Sequence, residues 1–322
     1  MACVLFLLNG CGKQTSDSTE IRVTFFDVGK GDAILIETER HSVLIDSGYD
    51  DTSEIILDYL AERKIQRLDY MILTHFDKDH VGGADRILEA MDVACVFQPD
   101  YKSDSKQYLE FLETMKDKDM RAHLVVITER LNLDGVDFLI DPPQQSEYET
   151  EDNDFSLVIS MTYGNRSFLF AGDCEEERLE ELLSQAEFGL SHDVLKVPHH
   201  GRKEKNTLDF LYAVSPKIAV FTCPENMKVE EDIYVTLENL GTKIYLTGKG
   251  TINLSMTTNL ILFTYGKSSE PLLNRLRIKV NASDRIISCH CLDCSRKKYQ
   301  IDKYLQNENH NFPSPFQSIF LS

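Results

Sequence analysis

The chain contains 322 residues, 42% of them hydrophobic, and carries a formal net charge of −19 at pH 7. This composition is typical of a globular protein with a sizeable core, and the acidic balance argues against a broad basic surface for nucleic acid or anionic membrane. The sequence contains no run of the roughly 18 apolar residues that a membrane-spanning helix requires, so no such helix is predicted.

The first 20 residues resemble a bacterial lipoprotein signal followed by a polar tether. Residues 4–8 are apolar, and Leu8-Asn9-Gly10-Cys11 resembles the cleavage box. The resemblance implies export, cleavage before Cys11, and a lipid on that thiol as the link to the membrane. Because no basic stretch precedes the apolar residues, a cytoplasmic protein with a frayed N-terminus is the alternative.

Short strands and amphipathic helices alternate along residues 21–265, which we predict to form one domain. In the first half, the patterns predict strands at residues 21–28, 33–38, 42–46, 68–73, 94–98 and 123–128, and helices at 52–63, 84–91 and 105–118. In the second half, they predict a hairpin of strands 155–163 and 166–171 around Gly164-Asn165, strands at 193–197, 217–222, 243–246 and 260–265, and helices at 175–185, 207–214 and 229–240. This order predicts an α/β sandwich with sheet inside and helices outside.

The composition changes near Gly266, where a basic C-terminal tail (266–322) begins. From Lys267 to the end, nine Lys and Arg residues face five Asp and Glu residues. The tail contains Cys289-His290-Cys291 and Cys294, a spacing that could bind zinc as a knuckle or form a disulfide after export.

The densest chemistry lies in the turn between the predicted strand 68–73 and the helix 84–91. His75, Asp77, Asp79 and His80 fall within six positions, and Gly82-Gly83 follow them. Glycines let the backbone turn tightly, so the four side chains can converge on one point. Imidazole combined with carboxylate is a ligand set for Zn²⁺, Fe²⁺ or Mn²⁺, and the turn therefore predicts a metal site.

Six motifs in this order resemble the metallo-β-lactamase superfamily, and within it the hydrolase domain of ComEC-type competence proteins, which take up DNA. They are Asp27-Val28-Gly29-Lys30-Gly31-Asp32-Ala33, Asp46-Ser47-Gly48, Thr74-His75-Phe76-Asp77-Lys78-Asp79-His80-Val81-Gly82-Gly83, Asn153-Asp154-Phe155-Ser156-Leu157-Val158, Ala171-Gly172-Asp173 and Val197-Pro198-His199-His200-Gly201. The resemblance implies a four-layer αββα sandwich over residues 21–265.

The resemblance also implies roles for individual residues around two divalent metal ions, Zn or Mn. His75 and Asp77 would hold one ion, Asp79 and His80 the other, and Asp173 would bridge them. His199 or His200 would complete the second site, with His200 favoured. Asp46 would orient a ligand, and Asp32, which together with His200 is a candidate for a direct part in catalysis, would lie near the mouth.

Three departures from the superfamily pattern stand out. A third His would be expected at the first metal, but His123 is the only His between the signature and Asp173, and its apolar surroundings favour packing or surface. Asp77 replaces the second His of the signature, and Arg202 follows His-His-Gly where Ser is usual. Cys174, like Cys95 and Cys223, is interpreted as a structural thiol.

These features predict a metal-dependent hydrolase, specifically a phosphodiesterase or nuclease that acts on DNA or another phosphodiester outside the cytoplasm. Metal-activated water would be the nucleophile, and Arg202 and Lys203 would contact the substrate. A DNA-uptake channel is an expected partner, while the oligomeric state stays open. The alternatives are a lactone or lactam hydrolase, which uses the same metal pair, and a scaffold protein with a degenerate site.

Overall fold

The computed structural model describes residues 20–149, 152–185, 189–258 and 260–266. The lipoprotein-like segment with Cys11 and the Cys-containing part of the tail lie outside these residues, so both expectations stay predictions. Within the described ranges, no helix combines the length and the apolar character that crossing a bilayer requires.

The described residues form fifteen strands and six α-helices. The strands are β1 (Ile21–Phe25), β2 (Ile34–Glu37), β3 (Ser42–Ile45), β4 (Arg67–Ile72), β5 (Asp92–Pro99), β6 (His123–Val125), β7 (Glu129–Leu133), β8 (Val136–Asp141), β9 (Val158–Tyr163), β10 (Arg166–Phe170), β11 (Val194–Lys196), β12 (Ile218–Phe221), β13 (Lys243–Leu246), β14 (Ile252–Thr257) and β15 (Leu260–Tyr265). The helices are α1 (Ser53–Arg63), α2 (Ala84–Ala90), α3 (Lys106–Asp117), α4 (Glu176–Ser184), α5 (Thr207–Val214) and α6 (Glu231–Asn239).

Two sheets face each other, and helices cover their outer sides. The first sheet has the order β15-β14-β1-β2-β3-β4-β5-β6, and the second has the order β13-β12-β11-β10-β9-β8-β7. One apolar cluster draws side chains from both sheets, such as Phe25 and Phe170, whose ring centroids lie 6.1 Å apart. A second cluster joins the first sheet to α1, α2 and α3, and a third joins the second sheet to α4, α5 and α6. The predicted four-layer αββα sandwich is confirmed.

Helix α3 shows how the sequence forms an outer layer. The Ser105 hydroxyl accepts a hydrogen bond from the Tyr108 backbone N–H at 3.3 Å, which satisfies one of the free donors at the helix start. Tyr108, Phe111 and Met115 recur at helical spacing and are buried against the first sheet. The amphipathic pattern thus fixes which side of the helix packs on the sheet.

Each sheet contains a run of parallel strands, and these runs position the site. Strands β3, β4, β5 and β6 are parallel, as are β10, β11, β12 and β13. Loops at the carboxyl ends of parallel strands meet at one edge of a sheet, where α/β proteins place ligands. Four of the six motifs, those that carry Asp46, His75 to His80, Asp173 and His199-His200, follow β3, β4, β10 and β11 at these ends.

The structure corrects several predicted elements. Strands β7, β8 and β14 were not predicted, although polar and apolar residues largely alternate in them, because each run is only five or six residues long. The strand predicted at 123–128 ends at Val125, and the one predicted at 155–163 begins at Val158 because a short 3₁₀ turn, Asn153–Phe155, precedes it. The other predicted strands and helices are present, with ends that differ by at most three residues from the predicted ones.

Candidate metal centre

The turn after β4 is held in place by Gly82, which has no room for a side chain. A Cβ atom there would lie 2.2 Å from the Lys78 carbonyl oxygen, 2.8 Å from the Asp50 nitrogen and 2.9 Å from the Gly48 carbonyl oxygen. All three are backbone atoms that cannot rotate away. The glycine therefore brings the turn against the loop that follows β3, which carries Asp46.

Asp46 fixes the orientation of His80. Its Oδ1 accepts the Thr74 backbone N–H at 2.7 Å, and its Oδ2 lies 2.7 Å from the Thr74 hydroxyl and 2.8 Å from Nδ1 of His80. Because a carboxylate accepts hydrogen bonds, His80 donates from Nδ1, so its Nε2 faces the centre and can become a metal ligand when it loses its proton. Asp46 thus has the geometry of the orienting residue that the sequence predicted.

Asp173 lies where the two halves of the site meet. Its Oδ2 is 3.3 Å from Nε2 of His80, 3.0 Å from Nε2 of His200 and 4.0 Å from Nε2 of His199. Three imidazoles that belong to two different sheets thus face one carboxylate oxygen. This arrangement agrees with the bridging position expected for Asp173, and it brings His200 closer to Asp173 than His199.

Lys196 is a site residue that sequence reasoning missed. It is fully buried, and its ammonium lies 2.6 Å from Oδ2 of Asp32, 3.0 Å from Oδ1 of Asp173 and 2.6 Å from the Gly172 carbonyl oxygen. Three acceptors match the three protons of the ammonium. The available signal was a single lysine within an otherwise apolar strand, since charged residues are seldom buried without a partner.

Asp32 belongs to the same buried network, so its expected place near the mouth is wrong. It is 1% exposed and lies behind the imidazoles, with its Oδ1 3.6 Å from Nδ1 of His200. The Thr222 hydroxyl lies nearer to the same nitrogen, at 2.9 Å. Thr222 and Asp32 therefore aim Nε2 of His200 towards Asp79, whose Oδ2 is 3.6 Å away.

The backbone is strained at the two histidines of the third cluster. His199 and His200 have φ values of 45° and 53°, a left-handed conformation that residues other than glycine seldom adopt. The His199 N–H donates to the Gly172 carbonyl oxygen at 3.3 Å, which ties this turn to the one that carries Asp173. The strain is maintained by packing and directs both rings into the site.

His75 packs beside His80, and Asp77 lies further out. The two histidine rings have centroids 4.0 Å apart, and Nδ1 of His75 lies 3.1 Å from the Thr74 hydroxyl and 3.4 Å from the Ser156 hydroxyl. Neither His75 nor Asp77 belongs to the tight group formed by Asp79, His80, Asp173 and His200, but His75 is buried whereas Asp77 is partly exposed. The structure thus places His75 in the site and Asp77 at its edge.

His199 also takes part in a second polar group. Its Nδ1 lies 3.1 Å from Oε1 of Glu175 and 4.0 Å from Oε1 of Glu204, and Asn153 donates to Glu175 at 2.9 Å. Arg202 lies 3.2 Å from Glu204 and 3.8 Å from Glu175. The Arg202 guanidinium is thus already paired with carboxylates beside the centre.

The donor set fits metal binding. Asp79, His80, Asp173 and His200 each offer a ligand atom, and all four atoms lie within 4.8 Å of one another. The Nε2 atoms of His75, His80 and His200 are buried and make no hydrogen bond of good geometry within the described residues, although those of His80 and His200 lie near Oδ2 of Asp173. Buried polar atoms without a hydrogen bond are rare. Imidazole nitrogen with carboxylate oxygen suits Zn²⁺ or Mn²⁺.

Electrostatic coupling across the site shifts the pKa values of its members. Burial would lower the pKa of His80, but the carboxylates of Asp173 and Asp46 raise it well above its ordinary value. Burial would raise the pKa of Asp173, but His200, Lys196 and His80 hold it well below. The raised pKa values of His80 and His200 favour protonated rings beside the carboxylates in the metal-free protein, and a cation that binds to these two rings has to displace their protons.

The remaining predicted residues lie around this centre or away from it. Lys203 pairs with Asp232, so it faces α6. His123 contacts Glu129 and packs edge-on against Phe97, as expected for a residue outside the site. Two of the three cysteines interpreted as structural thiols, Cys174 and Cys223, are buried, whereas Cys95 is partly exposed. Burial raises the pKa of the Cys174 thiol, which makes it a poor nucleophile.

Comparisons with known proteins agree with this geometry. The sequence profile of the Metallo-beta-lactamase superfamily matches residues 26–223. The chain is 26% identical over 227 residues to ComE operon protein 3 of Bacillus subtilis (strain 168), which covers 65% of this chain and 29% of the relative. It is 28% identical over 203 residues to Competence protein ComA of Neisseria gonorrhoeae, which covers 62% of this chain and 27% of the relative.

The match therefore spans little more than a quarter of the length of these relatives. Among solved structures, the metallo-beta-lactamase fold protein YhfI from Bacillus subtilis superposes with a TM-score of 0.50 at 11% identity, over 76% of this chain and all of that one. The profile covers more than half of the chain, and the αββα layers and the His and Asp centre are in place. The protein belongs to the metallo-β-lactamase superfamily, whose members are generally hydrolases, and has competence-protein homologues.

Proposed function

We propose that the protein is a metal-dependent phosphodiesterase that acts on DNA or another phosphodiester outside the cytoplasm. The observation that carries the proposal is the carboxylate-rich charge of the centre. Five carboxylates, those of Asp32, Asp46, Asp77, Asp79 and Asp173, lie in or beside the candidate site, and the ammonium groups next to them are the buried one of Lys196 and the exposed one of Lys30. When the imidazoles are neutral, as metal ligands must be, five negative and two positive charges leave a charge of −3, an excess of negative charge that divalent cations would offset.

The proposed ligand assignment rests on the group of Asp79, His80, Asp173 and His200 for one ion and on the superfamily resemblance for the other. Asp79, His80 and His200 would hold one ion, His75 and Asp77 the other, and Asp173 would bridge them. A centre with this many carboxylates favours harder ions than an all-histidine centre. We therefore propose two divalent ions, Mn or Zn.

Two bound cations would lower the pKa of a bound water and clamp the attacked phosphorus between the attacking and leaving oxygens. The chain itself orients the ligands. Asp46 and Thr222 hold the Nδ1 sides of His80 and His200, so that Nε2 of each faces the centre. Lys196 holds Oδ1 of Asp173 and prevents that carboxylate from rotating.

The location of the protein is part of the same proposal. We propose that Cys11 carries a lipid and anchors the domain at the outer side of the cell membrane, where a DNA-uptake channel would be its partner. The competence-protein names of the relatives support this setting. The acidic net charge means that any polymeric phosphate substrate has to be bound through local cations.

Elemental analysis combined with a substrate screen tests the proposed activity. Purified protein should contain about two divalent ions per chain, and should cleave bis-p-nitrophenyl phosphate or DNA in the presence of Mn²⁺ or Zn²⁺. Asp173→Asn should lose metal and activity together, whereas the matched His123→Ala should keep both. Opening of lactones or lactams without phosphodiester cleavage would establish the acyl-hydrolase alternative, and a metal content near zero would favour the scaffold alternative.

A further inference from the structure

The loop that carries Lys30 is held against both halves of the centre. The Asp32 N–H donates to the Asp79 carbonyl oxygen at 3.0 Å, and the Gly31 N–H donates to the Thr222 carbonyl oxygen at 3.4 Å. A Cβ atom on Gly31 would lie 2.6 Å from the Asp79 carbonyl oxygen, so the close approach requires glycine. Backbone hydrogen bonds to Asp79 and Thr222 thus fix the position of the loop that carries Lys30.

The Lys30 side chain extends from this loop towards the candidate ligands. Its ammonium lies 3.7 Å from Oδ2 of Asp79, while 43% of the side chain is exposed. The same carboxylate oxygen lies 3.6 Å from Nε2 of His200. The Asp79 carboxylate therefore lies between the Lys30 ammonium and His200, and the other side of the ammonium is open to solvent.

Other cations near the centre differ from Lys30 in what they contact. The three ammonium protons of Lys196 match three buried acceptors. Arg202 contacts Glu175 and Glu204, Lys203 contacts Asp232, and Lys205 contacts Glu176. The carboxylates that pair with Arg202, Lys203 and Lys205 lie outside the group of Asp79, His80, Asp173 and His200, so a metal ion held by that group would leave these three ion pairs in place. Lys30 alone among these cations combines an exposed ammonium with a partner that is itself a candidate ligand.

We propose that Lys30 is a counter-ion that changes partner: it pairs with Asp79 in the metal-free protein and binds an anionic oxygen of the substrate once metal is bound. A divalent cation on Asp79 takes up the negative charge and repels the nearby ammonium. The freed ammonium then faces the open side of the centre, where a phosphate oxygen can accept a charge-assisted hydrogen bond. This inference rests on the proposed function and makes Lys30 a determinant of preference for anionic substrates.

The test compares Lys30→Gln with Lys217→Gln. Lys217 is a matched control, because its side chain is 49% exposed and its ammonium contacts a carboxylate, Asp193, at the end of β12 opposite to Thr222. Calorimetric titration of Mn²⁺ into protein stripped by chelation should show about two- to fivefold tighter binding for Lys30→Gln, since a competing cation is lost. Lys217→Gln should bind Mn²⁺ as the wild type does.

The second measurement uses the Mn²⁺-loaded protein. Binding of inorganic phosphate should weaken about five- to tenfold in Lys30→Gln, and Lys30→Arg should bind within about twofold of wild type because it keeps the charge. For bis-p-nitrophenyl phosphate, KM should rise by a similar factor while kcat changes less. Tighter Mn²⁺ binding together with weaker phosphate binding in Lys30→Gln is the result that is specific to a change of partner.

Unchanged Mn²⁺ and phosphate binding in Lys30→Gln would overturn the inference, as would tighter phosphate binding. Because both titrations are made without turnover, they also decide the inference in a protein that cleaves no phosphodiester. If the metal-loaded wild type cleaves no phosphodiester, the proposed function is refuted but this inference is not. The two failures are therefore distinguishable.

Discussion

Lys196 donates a hydrogen bond to Oδ1 of Asp173 at 3.0 Å and so holds this carboxylate by one of its two oxygens. The other oxygen, Oδ2, is left to face the imidazoles of His80 and His200. Asp173 can therefore offer a single oxygen to metal unless the lysine moves. Because Lys196 is buried, it would affect the reaction by positioning the candidate ligand Asp173 and not by contacting the substrate.

Replacing Lys196 by Met should destabilise the protein and weaken metal binding. The substitution leaves the buried carboxylates of Asp32 and Asp173 without their cation, a change that typically costs about 3–5 kcal/mol of unfolding free energy. Urea unfolding of metal-free protein measures this cost, and elemental analysis measures retained metal. The double variant Lys196→Met/Asp32→Asn should recover part of the stability because one of the buried charges is removed. Equal stability of wild type and Lys196→Met would contradict this account.

Gly82→Ala should disrupt the metal turn. The added methyl group would overlap three backbone atoms, and at least one strand connection has to shift to admit it. We expect a loss of roughly 3 kcal/mol or more, as for overpacked sites with little freedom to relax, together with reduced metal content. Gly241→Asn is the control, because nothing lies within 4 Å of its Cβ position and Asn tolerates its φ of +73°. A melting temperature of Gly82→Ala equal to that of the control would refute the steric argument.

His192 should make stability depend on pH. Burial lowers its pKa, although the Leu190 carbonyl oxygen and Asp193 oppose the shift. Because the folded pKa lies below the unfolded one, this contribution is present above about pH 6.5 and is lost as the pH falls below it. Between about pH 7.5 and 5.5, wild type should lose up to about 1.4 kcal/mol more than His192→Gln. Urea midpoints at both pH values give the comparison, and parallel pH profiles would show that His192 does not titrate on unfolding.

Cys11→Ala should release the protein from the membrane fraction. If the thiol carries the lipid, its loss removes the attachment, whereas Cys174→Ala should leave fractionation unchanged because that thiol is buried within the fold. Mass spectrometry of the mature N-terminus detects the lipid directly. A wild-type protein that is found in the cytoplasm with an unmodified N-terminus would exclude the anchor.

The fold could be predicted from sequence where apolar residues were continuous or helically spaced. The hairpin of β7 and β8 was missed although local signals for it are present: polar and apolar residues largely alternate in its strands, and Asp134-Gly135 is a favoured turn pair between two strands. Strand β14 also alternates apolar and polar residues, and its polar residues Asn253 and Ser255 are buried. Local alternation could thus have identified these strands, whereas their neighbours in the sheet could not be predicted from local sequence.

The candidate site could be predicted where several polar residues are adjacent. His75, Asp79 and His80 belong to one motif, and Asp173 and His200 each follow a strand. Lys196 and Lys30 were missed because their roles depend on which carboxylate lies opposite, and that partner comes from a distant part of the chain. The same applies to Asp32, whose burial behind His200 follows from the way its loop folds back on Asp79.

The candidate ligands of the centre follow strands of both sheets: His75, Asp79 and His80 follow β4, whereas Asp173 and His200 follow strands of the second sheet. Cations bound there would fasten the two halves of the sandwich together. By mass action, free metal at a hundred times its dissociation constant adds about 2.7 kcal/mol to the stability of the folded state. The resistance of this protein to proteases should therefore increase with the concentration of free metal. Scarcity of metal should shorten the lifetime of the protein as well as remove its proposed activity.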